Sequence, residues 1–337
     1  MFGRLTFVSC ALFVACVPLA GCHPGAAPPP KVALIAGGDG ADVYDDAARA
    51  GLDACKRESG AVIAVLAPKA PGEYEQQLVL AATQNDDAVI ALGYPMARDL
   101  AQVARRFQAT QFALVDAVVD EPNVDSITFK EHEGAFLAGA LAALVSKTHR
   151  IAFIGGADVP LLRRSEAGFV AGAREVDPRV RVAVRYLSSF TDRAAAQQLA
   201  ATLFDQGSDV VFAVAGSAGL GAIEAAKARA DLFVIGADTD QDALAPGKVL
   251  TSVVKRVDRA AQRVCTEAVA QKPMSGHLVL GLAEDGIGLT EFRYTKDVIG
   301  ASRIARLDRI RQAVVAGRLA VPATRDELAR FRPVAIP

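Results

Sequence analysis

From Lys31 onward, short β-branched runs alternate with Ala-rich stretches of helical period, and that alternation leaves few folds open to the chain. Lys31 to Ala36, Ala61 to Leu66, Ala88 to Leu92, Gln111 to Val115 and Asp125 to Phe129 read as strands, as do Ile151 to Ile154, Val180 to Leu187, Asp209 to Val214, Leu232 to Ile235 and Val249 to Lys255. Between them the spacing predicts helices over Tyr44 to Glu58, Glu73 to Gln84, Met96 to Phe107, Glu133 to Val145, Ser165 to Glu175, Arg193 to Gln206 and Gly219 to Ala230. Each unit is about 25 to 30 residues, the length a parallel crossover needs. The expectation is an α/β protein of parallel sheets covered by helices on both faces. About 315 residues after Cys22 are more than one core takes comfortably and enough for two lobes. The polar, basic segment Lys147-Thr148-His149-Arg150 separates an Ala/Leu-rich helix from a new strand. It places a first lobe over 31–146 and a second over 147–261.

The first 21 residues carry one cation, Arg4, followed by an apolar run shorter than the roughly 20 residues that span a bilayer, which reads as an export signal. Leu19-Ala20-Gly21-Cys22 closes it and resembles the bacterial lipobox, which implies lipidation of Cys22. Each buried methylene contributes about 0.8 kcal/mol and one acyl chain binds only marginally, so two or three chains would hold the protein on the bilayer. His23 stands where many inner-membrane lipoproteins carry aspartate, which is compatible with outer-membrane attachment. The Pro-rich segment 22–30 reads as an extended tether. Cys10 and Cys16 leave with the signal, so only Cys55 and Cys265 remain in the folded part. Two readings of them stay open: one bridge in an oxidising compartment, or two free cysteines serving as small core residues on helix-like segments, the more frequent case. A formal net charge of -1, from 37 basic and 38 acidic side chains, provides no basic field for nucleic acid.

Ligands of open parallel sheets bind at the carboxyl ends of strands. The first strand runs into Gly37 to Asp46, the fourth into Asp116, the strand ending at Ile235 into Gly236-Ala237-Asp238-Thr239-Asp240-Gln241, and the last into Lys255-Arg256. Together these would put carboxylates, the Tyr44 ring and a cation around one crevice. Asp42, Asp45 and Asp46 stand at a helix start, where a carboxylate serves equally as a cap.

Several stretches resemble one family in order. They are Pro122-Asn123-Val124 with Ser126-Ile127-Thr128-Phe129-Lys130-Glu131-His132-Glu133-Gly134-Ala135-Phe136-Leu137-Ala138-Gly139, then Ile154-Gly155-Gly156-Ala157-Asp158-Val159-Pro160, Gly168-Phe169-Val170-Ala171-Gly172-Ala173, Gly236 to Gln241, and Thr251-Ser252-Val253-Val254-Lys255-Arg256. From Lys31 to about Phe292 the chain resembles the basic membrane protein or PnrA-like class of substrate-binding lipoproteins of ABC transporters. The resemblance implies a two-lobed type I periplasmic-binding fold, a purine nucleoside or other flat heteroaromatic ligand clamped at the hinge, and delivery to an ABC permease. The C-terminal segment, about 262–337, is expected to complete the first lobe. The family's stacking segment falls on Val43-Tyr44-Asp45, so the resemblance implies that Tyr44 stacks on the base. Asp45 replaces an asparagine and would accept from an edge rich in N–H donors, such as guanine. Asp116 is implied to read the base as well, Asp238 and Lys255 to hold the ribose, and Gly216 to line the ligand. Val214-Ala215-Gly216-Ser217 and Ser165 depart from the family, whose members often carry aromatics there; Phe190 could supply a ring instead.

Other classes have weaker sequence support. Gly37-Gly38-Asp39-Gly40 lacks the spacing and the Lys-Ser/Thr of a phosphate loop, and nothing else points to a cofactor. Ala215-Gly216-Ser217-Ala218-Gly219, followed by Asp238, Asp258 and His277, has the order of a hydrolase triad, but His277 reads as part of a surface loop. His23, His132, His149 and His277 show no metal-ligand spacing. A surface interaction or adhesin lipoprotein, and a binder of a polyol or flavin such as riboflavin, are the alternatives to a nucleoside receptor.

Overall fold

A computed structural model describes residues 28–37, 43–84, 86–272 and 276–336. The export signal, Cys22, residues 22–27 of the tether and the loop 38–42 lie outside the described residues. The first lobe runs β1 (Lys31–Ile35), α1 (Val43–Ser59), β2 (Val62–Leu66), α2 (Tyr74–Thr83), β3 (Ala88–Leu92), α3 (Ala97–Arg106), β4 (Gln111–Val115) and β5 (Val124–Phe129). After α4 (Glu131–Val145) the second runs β6 (Arg150–Gly155), α5 (Pro160–Val176), β7 (Arg181–Tyr186), α6 (Arg193–Asp205), β8 (Val210–Val214), α7 (Leu220–Lys227), β9 (Phe233–Asp238) and β10 (Val249–Lys255). The chain closes with α8 (Val257–Val269), β11 (Gly276–Leu280), β12 (Ile287–Leu289), α9 (Lys296–Ile299), α10 (Ala301–Val315) and α11 (Arg325–Arg330).

Among the described residues the strands form two six-stranded sheets, ordered β11-β5-β4-β3-β1-β2 and β12-β10-β9-β8-β6-β7. Every pairing is parallel except β10 with β12. Ala88-Val89-Ile90-Ala91-Leu92 of β3 is buried throughout, as a strand covered on both faces must be, whereas the edge strands β2 and β7 are only half-buried. Helix α3 shows how the covering layer forms. Leu100, Val103 and Ala104 recur at helical spacing on the buried face, Asp99 sits in the first turn, and Arg105 and Arg106 in the last favour the dipole. The fold is thus the α/β class the alternation predicts, and the ten expected strands and seven expected helices are all present.

The lobes are drawn differently from a division at residue 146. Helix α4 follows a first-lobe strand but packs against α5, giving Phe136, Leu137 and Leu141 to the core built on Phe153, Phe169 and Phe212. Those three rings meet at centroid separations of 5.4 to 6.0 Å. Helix α8 makes the reverse exchange, following a second-lobe strand and packing on α1. The C-terminal segment is shared between lobes: β11 joins the first sheet, whereas β12, α10 and α11 belong to the second. Three crossings therefore lie side by side at the hinge, tied by Lys130 N–H to the Leu280 carbonyl at 2.8 Å and Arg256 N–H to the Gly286 carbonyl at 2.9 Å.

Cys55 and Cys265 are bonded to each other, joining α1 to α8 with 6.2 Å between their Cα atoms. Both cysteines are fully buried, but they are not the free core thiols that are the more frequent expectation; the bridge is the reading the structure bears out.

Candidate ligand-binding site

The carboxyl ends of the two sheets face each other across the hinge and enclose a cavity of about 350 Å³. All six expected ligand residues, Tyr44, Asp45, Asp116, Gly216, Asp238 and Lys255, line it. The first lobe adds Tyr74, Gly93 and Tyr94, the second Phe190, Thr191 and Val214, and the hinge Glu131. A larger depression of about 560 Å³ lies between α10 and the segment after β12; it shares no residue with the interlobe cavity, and of the strands only the antiparallel β12 ends in it.

Asp116 follows β4, the fourth strand of the first lobe, and Asp238 ends β9, the fourth strand of the second. Both have left-handed backbone, with φ of 75° and 69°. Aspartate tolerates that conformation better than bulkier residues, and the turn re-aims each carboxylate from its sheet toward the cavity. The resulting ion network spans the lobes. Lys255 Nζ lies 3.0 and 3.1 Å from the two Asp116 carboxylate oxygens, and the Tyr44 hydroxyl donates to Oδ2 of the same group. The ammonium also stands 5.5 Å from the Tyr44 ring centroid and 5.4 Å from that of Phe129, within cation–π range. Asp116 therefore positions the Tyr44 ring and the ammonium, and its oxygens are already committed.

Asp45, 1 % exposed, accepts from the Gly37 N–H at 2.8 Å and thereby fixes the turn after β1 against the start of α1. The Tyr74 hydroxyl donates to the Gly37 carbonyl at 3.2 Å. From the other lobe, Phe190 is held by its backbone: its carbonyl accepts from Ala218 N–H at 2.9 Å, and neighbouring Ser189 N–H donates to Gly156 at 2.8 Å.

Four carboxylates, from Asp45, Asp116, Glu131 and Asp238, line the cavity with one ammonium. Burial alone would pull the Lys255 ammonium down, but Asp116, Glu131 and Asp238 together outweigh it and hold the group well above its ordinary value. Burial, and then the Asp116 carboxylate, push the Tyr44 phenol far up. Burial raises Glu131 against the opposing pull of Lys255. At neutral pH Lys255 is a cation and Tyr44 a neutral donor, in a cavity that is otherwise rich in acceptors.

The proposed triad geometry is not formed. The Ser217 hydroxyl donates to the Phe190 carbonyl in the second lobe, while the His277 ring contacts Thr128 Oγ1 at 2.7 Å in the first. His277 belongs to β11 and not to a surface loop. The sequence reading passed over Glu131, Tyr74 and Tyr94. The available signal for Glu131 was its place two residues after the end of a strand, at the start of the helix that follows.

Among known proteins, residues 30–325 match the family described as ABC transporter substrate-binding protein PnrA-like. The chain is 31% identical over 269 residues to the "ABC transporter nucleoside-binding protein BmpA" of Lactococcus lactis subsp. cremoris, covering 74% of this chain and 75% of that one. It is 33% identical over 268 residues to the "CD4+ T-cell-stimulating antigen" of Listeria monocytogenes, covering 74% of each. The crystal structure of an ABC transporter system solute-binding protein from Aeropyrum pernix superposes with a TM-score of 0.79 at 24% identity, over 90% of this chain and 96% of that one, which shows the same fold.

Proposed function

The chain belongs to the PnrA-like family of ABC transporter substrate-binding proteins, and we propose that it is the receptor for a purine nucleoside, clamping it between its lobes for delivery to an ABC permease. The observation that carries this reading is the meeting, in one interlobe cavity, of aromatic residues from opposite lobes, Tyr44 and Phe190, with four carboxylates. Flat rings supply stacking of about 1 to 3 kcal/mol per base, and carboxylates accept from ring N–H groups and from sugar hydroxyls. A relative at 31% identity carries the name of a nucleoside-binding protein, which agrees with that chemistry.

In this reading Tyr44 and Phe190 sandwich the base, Asp45 accepts from its N–H edge, and Asp238 with Lys255 holds the ribose. Asp116 serves as the strut that aims Tyr44 and Lys255, because its own oxygens are engaged by both. An anionic cavity favours a neutral nucleoside over a nucleotide, whose phosphate would meet four carboxylates and one ammonium. Cys22 anchors the protein on the bilayer outside the cytoplasm, and among the described residues no helix is long and apolar enough to cross a membrane.

The test is calorimetric titration of the full chain in detergent, unfolded and refolded to strip carried ligand, against guanosine, inosine, adenosine, cytidine and riboflavin. Heat with guanosine or inosine and none with cytidine or riboflavin is the expected result. No heat with any of the nucleosides overturns the reading.

A further inference from the structure

Glu131 stands apart from the other carboxylates of the cavity. Asp116 receives hydrogen bonds from Lys255 and Tyr44, and Asp45 receives one from the Gly37 backbone. Both Glu131 side-chain oxygens are buried, and neither accepts a hydrogen bond from another described residue; only the backbone N–H of Glu131 itself acts on the carboxylate in that way. Its two charged neighbours stay beyond hydrogen-bond reach: Lys255 Nζ is 3.7 Å from Oε1 and Arg164 Nε 3.6 Å from Oε2. The side chain is 6 % exposed, yet it lines the cavity. A carboxylate taken from water with so few donors is costly, and two cations at ion-pair distance compensate the charge without satisfying all its lone pairs.

The position is also a fixed one. Glu131 is the first residue of α4, at the hinge crossing where Lys130 N–H is bonded to the Leu280 carbonyl, so hinge geometry and not a mobile loop sets where its carboxylate points. It shares the ammonium of Lys255 with Asp116, and the charge of Asp238 acts on the same ammonium, so Glu131 stands in the cluster around the group assigned above to the ribose.

We propose that Glu131 is a ligand-contacting, specificity-determining residue, its carboxylate accepting a hydrogen bond from one sugar hydroxyl of the bound nucleoside. The inference rests on the nucleoside reading above. It adds a third polar group to the ribose side of the site and selects for a free hydroxyl, since an ester or phosphate at that oxygen leaves no hydroxyl proton to give, and a phosphate would also bring a like charge against the carboxylate.

Calorimetry on the full-length Glu131→Gln variant with inosine, and with a series of inosine analogues each lacking one ribose hydroxyl, tests it. Charge-assisted hydrogen bonds are among the stronger ones, so the variant is expected to bind inosine about tenfold or more weakly. Against the analogue that lacks the contacted hydroxyl, the loss should shrink to about twofold or less, since the two changes then remove the same bond. An equal loss against every analogue, or no loss against any, overturns the inference and assigns Glu131 to holding Lys255. If Glu131→Gln does not fold, Glu131→Asp keeps the charge, withdraws it by one methylene, and must show the same analogue dependence. Wild-type protein that binds none of the nucleosides overturns both this inference and the reading it rests on; wild-type binding with an analogue-independent loss overturns this inference alone.

Discussion

Helices α4 and α8 hold equivalent places in the two lobes, each following a fifth strand and crossing the hinge to pack on the opposite lobe. Both make a close backbone approach that needs a glycine. A Cβ at Gly139 of α4 would lie 1.9 Å from the Phe169 carbonyl oxygen, and one at Gly51 of α1 would lie 1.9 Å from that of Asp258 on α8. They differ in how much they bury. Twelve of the 15 residues of α4 are buried, against six of the 13 of α8. The deeply sunk helix is held mainly by packing, with Glu133 accepting from the Leu282 N–H at 2.8 Å and Glu131 facing Arg164 of α5, and the shallow one carries the Cys55–Cys265 bridge. Their entries also differ in charge: α4 begins with Glu131, whereas α8 begins two residues after Lys255. The contrast teaches that this hinge is fixed by unlike means on its two sides, one chiefly apolar and one covalent, with a single ammonium between Asp116 and Glu131 where they meet.

The largest effect that would probe this contrast comes from the ammonium. Lys255→Met leaves Asp116 and Glu131 buried together without their cation, and removing one partner of a buried pair costs about 3 to 5 kcal/mol. Urea denaturation should show that loss, and adding Asp116→Asn to the same chain should recover part of it. A Lys255→Met protein as stable as wild type would remove the ammonium from the account of the hinge.

Next in size is the bridge. Cys55→Ser with Cys265→Ser should lose about 2 to 4 kcal/mol, because the cross-link joins residues 210 apart in the chain and restricts the unfolded state. Hydrogen exchange should localise the opening to α8 and leave α4 protected. Equal protection of both helices in the bridge-free protein would show that α8 packs well enough unaided and that the comparison is wrong.

Much of this architecture was legible because it is written in local period. The buried run of β3 and the stripe of α3 announce themselves within ten residues, and strand ends carry their polar residues openly. What escaped was set by contacts between distant segments. Strands β11 and β12 are short pieces recruited to sheet edges, with only Ile287, Gly288 and Leu289 in the second, too little for an alternating pattern to register. No local signal says that α4 leaves the lobe its strand belongs to, since an apolar helix reads the same whichever sheet it covers. The pairing of Cys55 with Cys265 depends on the same exchange, because it follows only once α8 lies on α1. Within the site, Tyr44, Asp116, Asp238 and Lys255 could be picked from strand ends, but the mutual saturation of Asp116 by Lys255 and Tyr44 needs their positions in space. Glu131 was hidden by its setting in an apolar helix, where a first-turn acid has an ordinary role as a partner of the dipole.

The smallest effect tests the apolar side of the comparison through acid. His132, the second residue of α4, has a buried Nδ1 with no hydrogen-bond partner among the described residues. Burial, helped by the nearby charges of Arg164 and Lys130, lowers its imidazole to about 4. The folded state therefore holds His132 neutral while the unfolded chain takes up a proton below about pH 6.5, so the unfolded state binds more protons between those two values and stability falls as the pH is lowered through them. Between pH 7 and pH 5 the cost is on the order of 2 kcal/mol for a group this well buried. His132→Gln keeps a polar side chain of similar reach and cannot titrate, so its urea midpoint should fall less than the wild-type midpoint over that interval. The same acid shift should speed hydrogen exchange at the start of α4 before it affects the bridged α8. If the variant and wild type lose stability in parallel, the acid sensitivity lies elsewhere, and α4 owes its hold on the second lobe to packing with no contribution from a neutral imidazole at its first turn.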